Sequence, residues 1–147
     1  MSRILALDVG TKTIGIALSD ETGTIASPQK TLMRQPGKRK DAQALQEMVL
    51  QYDVATIIVG LPLQSDGSVG KQALFVQDFV ATLRNYLRIP LYFQDESLST
   101  WEAEQPLIEA GRTRQERKEI LDSLAASLIL QRWLEVQHHA SKAKSDL

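Results

Sequence analysis

Four carboxylates of this chain stand where an acid is costly unless it has a job. Asp8 follows the apolar run at residues 4–7, and Asp95 and Glu96 close the run that begins at Ile89. Asp122 has Ala125, Ala126, Ile129 and Trp133 as its neighbours at helical spacing. A carboxylate in an apolar setting costs several kcal/mol unless a cation or a donor meets it. The chain has no cysteine, and its two histidines, His138 and His139, lie near the C-terminal end. The available ligands are therefore hard oxygens, which suit Mg²⁺ or Mn²⁺ better than zinc. Two such ions about 4 Å apart would support in-line attack on a phosphodiester. Taken singly, each acid has a structural use. Asp8 could cap a turn through the N–H of Gly10 or Thr11. Asp95 or Glu96 could charge the start of a following helix, and Asp122 could pair with Arg114, Lys118 or Arg132. Convergence of the acids in one fold is what favours a site.

The elements that would bring them together can be read in order. Residues 4–9 and 13–19 form two apolar strands around the Gly10 turn, an antiparallel hairpin. Gly23 marks the next turn and residues 24–32 a third strand, with Pro28 arguing for an edge position or a break. Helical spacing then covers 40–52, with Ala42, Leu45, Met48, Val49 and Tyr52 on one face. The β-branched run 54–59, ending at Gly60, reads as a central strand covered on both faces. The segment 65–70 is a loop. Val69, Ala73, Val76, Val80, Leu83 and Leu87 mark a second helix, and 89–93 a short strand. Ser99 with Glu102 has the form of a capping box, predicting a helix over 100–110 that stops at Gly111. A last helix spans about 114–138. The order βββαβαβα, with its last two helices in tandem, gives an α/β fold: a mixed five-stranded sheet with helices on both faces. Residues 1–138 make one domain, and 139–147 read as a disordered tail.

Composition sets the class. The chain has 147 residues, 43% hydrophobic and 24% charged, enough for one globular core. Absence of cysteine suits a reducing compartment and excludes a thiolate site. The start MSRILALDVG is not a signal peptide, and no apolar run approaches the roughly 20 residues of a membrane span. A net charge of −1 does not advertise nucleic-acid binding. Basic residues nevertheless cluster at Arg34, Lys38, Arg39 and Lys40 and at Arg112, Arg114, Arg117 and Lys118, either as solvated faces or as a phosphate track. Lys12, in the first turn, is a further phosphate contact beside Asp8, although exposed hairpin lysines are common. Gly10 and Gly15 have P-loop spacing but lack the Lys-Ser/Thr that must follow. Ser97, Ser99 and Thr100 have no histidine near them in sequence to act as base. Trp101 and Trp133 read as packing residues.

These residues resemble a known family. DVGTKTIGIALSD (8–20), IIVGLPLQSDGSVGKQA (57–73), DESLST (95–100) and RTRQERKEILDSLAASLILQRWLE (112–135) are similar to the YqgF proteins, also called Holliday-junction-resolvase-like proteins or pre-16S rRNA nucleases. The resemblance implies a ribonuclease H-like fold, a cytoplasmic protein and metal-dependent nuclease chemistry at the 5′ end of small-subunit ribosomal RNA. It carries the catalytic acids over to Asp8, Glu96 and Asp122, with Asp95 as a further metal ligand. Lys12, Arg112, Arg114 and Lys118 are then the substrate-binding residues. The family commonly has Arg after the DE pair, where this chain has Ser97.

Other readings stay in view. The D-x-G-T hairpin also resembles the phosphate-binding turn of the actin and hexokinase superfamily, but those proteins clamp nucleotide between two domains and this chain has room for one. A Holliday junction resolvase would use the same acids on branched DNA and would be a dimer, since it cuts two strands symmetrically. A non-catalytic RNA-binding protein could keep the fold. Monomer and homodimer both remain open.

Overall fold

Residues 3–96 and 109–145 are described by the computed structural model, the side chains at 115, 118–123 and 139–145 excepted. Strands β1 (Arg3–Val9) and β2 (Thr13–Ser19) form the expected antiparallel hairpin, with Asp8 opposite Gly15. The Gly10 N–H donates to the Thr13 carbonyl at 2.9 Å and closes the turn. A β-carbon on Gly10 would stand 3.0 Å from that same carbonyl oxygen, so the tight return favours glycine there.

The single third strand expected over 24–32 is two short ones, β3 (Ala26–Pro28) and β4 (Leu32–Met33), both antiparallel to β2. Pro28 has no N–H to continue the ladder. The Gln29 N–H donates to Ile16 O at 2.8 Å, and the chain pairs again only where Leu32 meets Ile14. The sheet is therefore six-stranded rather than five-stranded, in the order β3-β2-β1-β5-β6 with β4 also on β2.

The rest of the sheet is parallel. Strand β5 (Val54–Leu61) lies beside β1, and β6 (Leu91–Asp95) lies beside β5. Side-chain alternation divides the core in two. Leu5, Leu7, Ile16, Ile57 and Val59 pack under helices α1 (Arg39–Gln51) and α2 (Lys71–Leu83). On the opposite face Ala6, Ala17 and Ile58 meet Ala126, Ile129, Leu130 and Leu134 of helix α3 (Arg114–Ser145). The alanines at 6 and 17 leave room for the helix to lie close to the strands. At its outer edge Trp133 stacks on Tyr92 of β6, with centroids 5.4 Å apart.

Thr113 and Glu116 cap α3 reciprocally. The Glu116 N–H donates to Thr113 Oγ1 at 3.2 Å, and the Thr113 N–H to Glu116 Oε1 at 3.4 Å. The helix runs to Ser145, beyond the expected end near His138, because residues 139–145 contain neither glycine nor proline. The capping box expected at Ser99 and Glu102 lies outside the described residues, as do Ser97, Trp101 and most of the helix expected over 100–110. Its stop is described: Gly111 has φ 76, the left-handed conformation that ends helices. Among the described residues no helix is long and apolar enough to cross a membrane.

Candidate active site

Strands β1, β5 and β6 run parallel and side by side, so their C-terminal ends share one edge of the sheet. Leu7 is level with Val59, and Leu61 with Asp95. Alternation then turns Asp8, Gly60 and Glu96 to the face that carries Ala6 and Ile58. The Glu96 N–H donates to Leu61 O at 3.0 Å and fixes the chain just beyond β6. Gly60 lies between the two acids and offers no side chain to separate them.

The outcome is a carboxylate pair. Glu96 is half-buried and shares a hydrogen bond with Asp8. Its pKa rises to about 8, first because burial disfavours the charged form, then through the Asp8 charge, the Asp8 hydrogen bond and, least, the charge of Asp95. The turn-capping use of Asp8 through Gly10 does not hold, since the Gly10 N–H is given to Thr13. Both acids line a cleft of about 470 Å³, together with Gly10, Thr11, Pro62 and Phe75.

The donor chemistry fits a divalent cation. Two oxygen ligands that can coexist only by sharing a proton are held together equally well by a metal ion, which replaces the proton. Among the described residues no group of three His, Cys, Asp or Glu side chains forms a complete metal cluster. Asp95 is exposed and acts on Glu96 through its charge. Asp122 lies in α3 one turn before the buried Ala126, and its side chain, like that of Lys118, lies outside the described residues.

The basic candidates stand on different elements. Lys12 is exposed, next to the cleft residue Thr11. Arg112 and Arg114 are exposed at the start of α3, and Arg112 Nη1 pairs with Glu116 at 3.3 Å. Arg34 departs from the expectation of a solvated or phosphate-tracking cluster. Its side chain is only 11% exposed, and it is locked to Asp41, itself 1% exposed, by a 2.9 Å ion pair. Arg34 Nη1 also donates to the Gly10 carbonyl at 3.0 Å. Sequence reasoning missed this pair because Asp41 reads as an ordinary first-turn helix acid and Arg34 as one of four neighbouring cations. Phe75, 37% exposed in the cleft, was likewise hidden among the apolar positions of α2.

Comparison with known proteins shows the family. A family model described as RuvX, Holliday junction resolvase, matches residues 2–136. A protein of Thermoanaerobacter pseudethanolicus named "Putative pre-16S rRNA nuclease" is 46% identical over 136 residues, covering 92% of this chain and 97% of its own. A protein of the same name from Bacillus thuringiensis is 42% identical over 134 residues, covering 90% and 98%. Among solved structures, Thermus thermophilus RuvC in complex with a Holliday junction substrate superposes with a TM-score of 0.57 at 11% identity, covering 95% of this chain and 97% of that one. At that identity the likeness is one of fold, and it identifies the mixed sheet as ribonuclease H-like. Family model, full-length relatives and fold converge: the chain belongs to the RuvX family, described as Holliday junction resolvase.

Proposed function

We propose that this chain is a metal-dependent nuclease that hydrolyses phosphodiester bonds in nucleic acid and matures the 5′ end of pre-16S rRNA in the cytoplasm. Membership of the family makes it a nuclease. The observation that carries the mechanism is the Asp8–Glu96 pair, two carboxylates from the ends of different strands sharing a proton in an open cleft. Asp8 and Glu96, with Asp122 from α3 and Asp95 beside them, would hold Mg²⁺ or Mn²⁺. The chemistry such an ion would supply there is a water of lowered pKa for attack and charge compensation at the leaving oxygen.

The protein's own groups do the rest. Glu96, with its pKa raised to about 8, would have to release its proton to serve as a ligand, which would link metal loading to proton release. Lys12, Arg112, Arg114 and Lys118 are the residues proposed to position the phosphate backbone. Phe75 and Pro62 add apolar surface to the lining of the cleft. One domain that includes the whole of α3, rather than ending at the expected 138, would contain all of these groups.

The names of the relatives support precursor rRNA as substrate, whereas the family description supports branched DNA as a second reading. Comparing Mn²⁺-dependent cleavage of precursor rRNA, plain single-stranded RNA and a four-way DNA junction separates them. Preferential cleavage of precursor rRNA, lost in Asp8→Asn, is the expected result. Symmetric cutting of the junction alone would move the assignment to a dimeric resolvase, and full activity of the Asp8→Asn protein would remove the site.

A further inference from the structure

Arg34 joins the candidate site to the rest of the fold through a set of contacts that an ordinary ion pair does not need. Its Nε donates to Asp41 Oδ2 at 2.9 Å, in the first turn of α1. Its Nη1 donates to the Gly10 carbonyl at 3.0 Å, in the turn just beyond Asp8. The guanidinium lies 4.9 Å from the ring centre of Phe79 and 5.5 Å from that of Phe75, both on α2. Its backbone N–H donates to Lys12 O at 2.9 Å, on the far limb of the same turn. Asp41 is held in place by a second bond, accepting the Gln35 N–H at 3.0 Å.

Gly10 therefore has both backbone polar groups committed, its N–H within the turn and its carbonyl to Arg34. The turn cannot swing without breaking one of them. Phe75, the other ring under the guanidinium, is a wall of the cleft that contains Asp8 and Glu96. One planar cation thus contacts two parts of the cleft lining, the Gly10 turn and Phe75. Only a guanidinium can donate along two directions in its plane while stacking on rings through its face; a lysine is a single point charge.

We propose that Arg34 is a positioning residue for the nuclease site: its guanidinium pins the Gly10 carbonyl, and with it the strand end bearing Asp8, against the α2 wall, while Asp41 keeps the guanidinium in that orientation. The proposal rests on reading Asp8 and Glu96 as the metal-holding pair. The full-length protein is compared with Arg34→Lys, Asp41→Asn and Asp8→Asn by Mn²⁺ titration followed by electron paramagnetic resonance and by residue-resolved amide exchange. Arg34→Lys is expected to bind Mn²⁺ about 10-fold more weakly. It should also exchange faster at Gly10 while the central strands keep the parent's slow exchange. Asp41→Asn, which retains an acceptor for Nε, shows the same pattern with a smaller change. Parent-like Mn²⁺ affinity together with parent-like exchange at Gly10 overturns the proposal. So does a rise in exchange spread evenly over the sheet, which marks a purely structural role. Should Arg34→Lys not fold, Gly10 exchange in Asp41→Asn decides, faster exchange supporting the proposal and unchanged exchange overturning it. Equal Mn²⁺ uptake by the parent and Asp8→Asn would instead remove the metal reading of the pair, and Gly10 exchange would then decide the role of Arg34 alone.

Discussion

Gly60 is the reason the Glu96 carboxylate can lie where it does. A β-carbon at position 60 would stand 3.2 Å from Glu96 Oε2 and 2.5 Å from Cδ1 of the buried Ile129. The same missing side chain seats α3 on the sheet and admits an acid beside Asp8. Gly60→Ala is therefore expected to destabilise the protein by about 1–3 kcal/mol through overpacking. It should also lower Mn²⁺-dependent cleavage at temperatures where the variant is fully folded. Urea denaturation and cleavage assays on one preparation check both; wild-type activity in a folded Gly60→Ala protein would show that Glu96 does not need this space.

Glu96 makes the metal-free protein sensitive to pH in a defined direction. Its pKa is raised from an ordinary 4.5 to about 8 in the fold, so the native state holds a proton that the unfolded chain has lost. A raised pKa means the stabilising contribution is complete below the unfolded value and fades as pH climbs through the folded one. Without metal, the urea midpoint should fall between pH 5 and roughly pH 8.5. Glu96→Gln should lack that part of the decline, and Mn²⁺ should restore the parent at the alkaline end. An identical pH profile for parent and Glu96→Gln would contradict the assignment.

Asp8→Asn tests the pair from the other side. Removing the Asp8 charge leaves burial and Asp95 as causes for the shift at Glu96, so its pKa should move down toward the ordinary range. Carboxyl carbon NMR titration reads this directly.

The Arg34–Asp41 pair should show its cost when only one partner is removed. Arg34→Ala leaves a buried carboxylate without its cation, expected to cost about 3–5 kcal/mol. The double variant with Asp41→Ala should be less destabilised than the two single losses added together, as a double-mutant cycle in urea would show.

At the start of α3 the expected effects are smaller and separable. Thr113→Ala removes a capping oxygen from the Glu116 N–H and should cost about 1 kcal/mol. Arg114→Ala should leave stability alone, weaken RNA binding across sequences and flatten its salt dependence by about one unit of slope. Unchanged salt dependence would take Arg114 out of the phosphate path.

Local patterns in the chain announced the hairpin, the buried strand at 54–59 and α1, because period and turn chemistry act over a few residues. Asp8 and Glu96 were legible as acids at strand ends. What made them a pair, the parallel registers of β1, β5 and β6, is a long-range property that only the fold supplies. The split at Pro28 was half visible, since proline forbids a donor but does not say where pairing resumes. The Thr113–Glu116 box stood in plain sequence and was overlooked in favour of Ser99. Arg34 was opaque for a deeper reason. Nothing local distinguishes a cation that will be covered by two phenylalanines from the exposed ones beside it.

Under the proposed mechanism, the strand order also sets when the two acids can meet during synthesis. Asp8 is synthesised almost at once, but its partner comes only after β6, and β1 must wait for β5 to arrive as its parallel neighbour. Such pairings close large loops and form late and cooperatively. A nascent fragment that ends before Glu96 lacks one acid of the pair, so under the proposed mechanism nuclease activity would have to wait until translation has passed that residue.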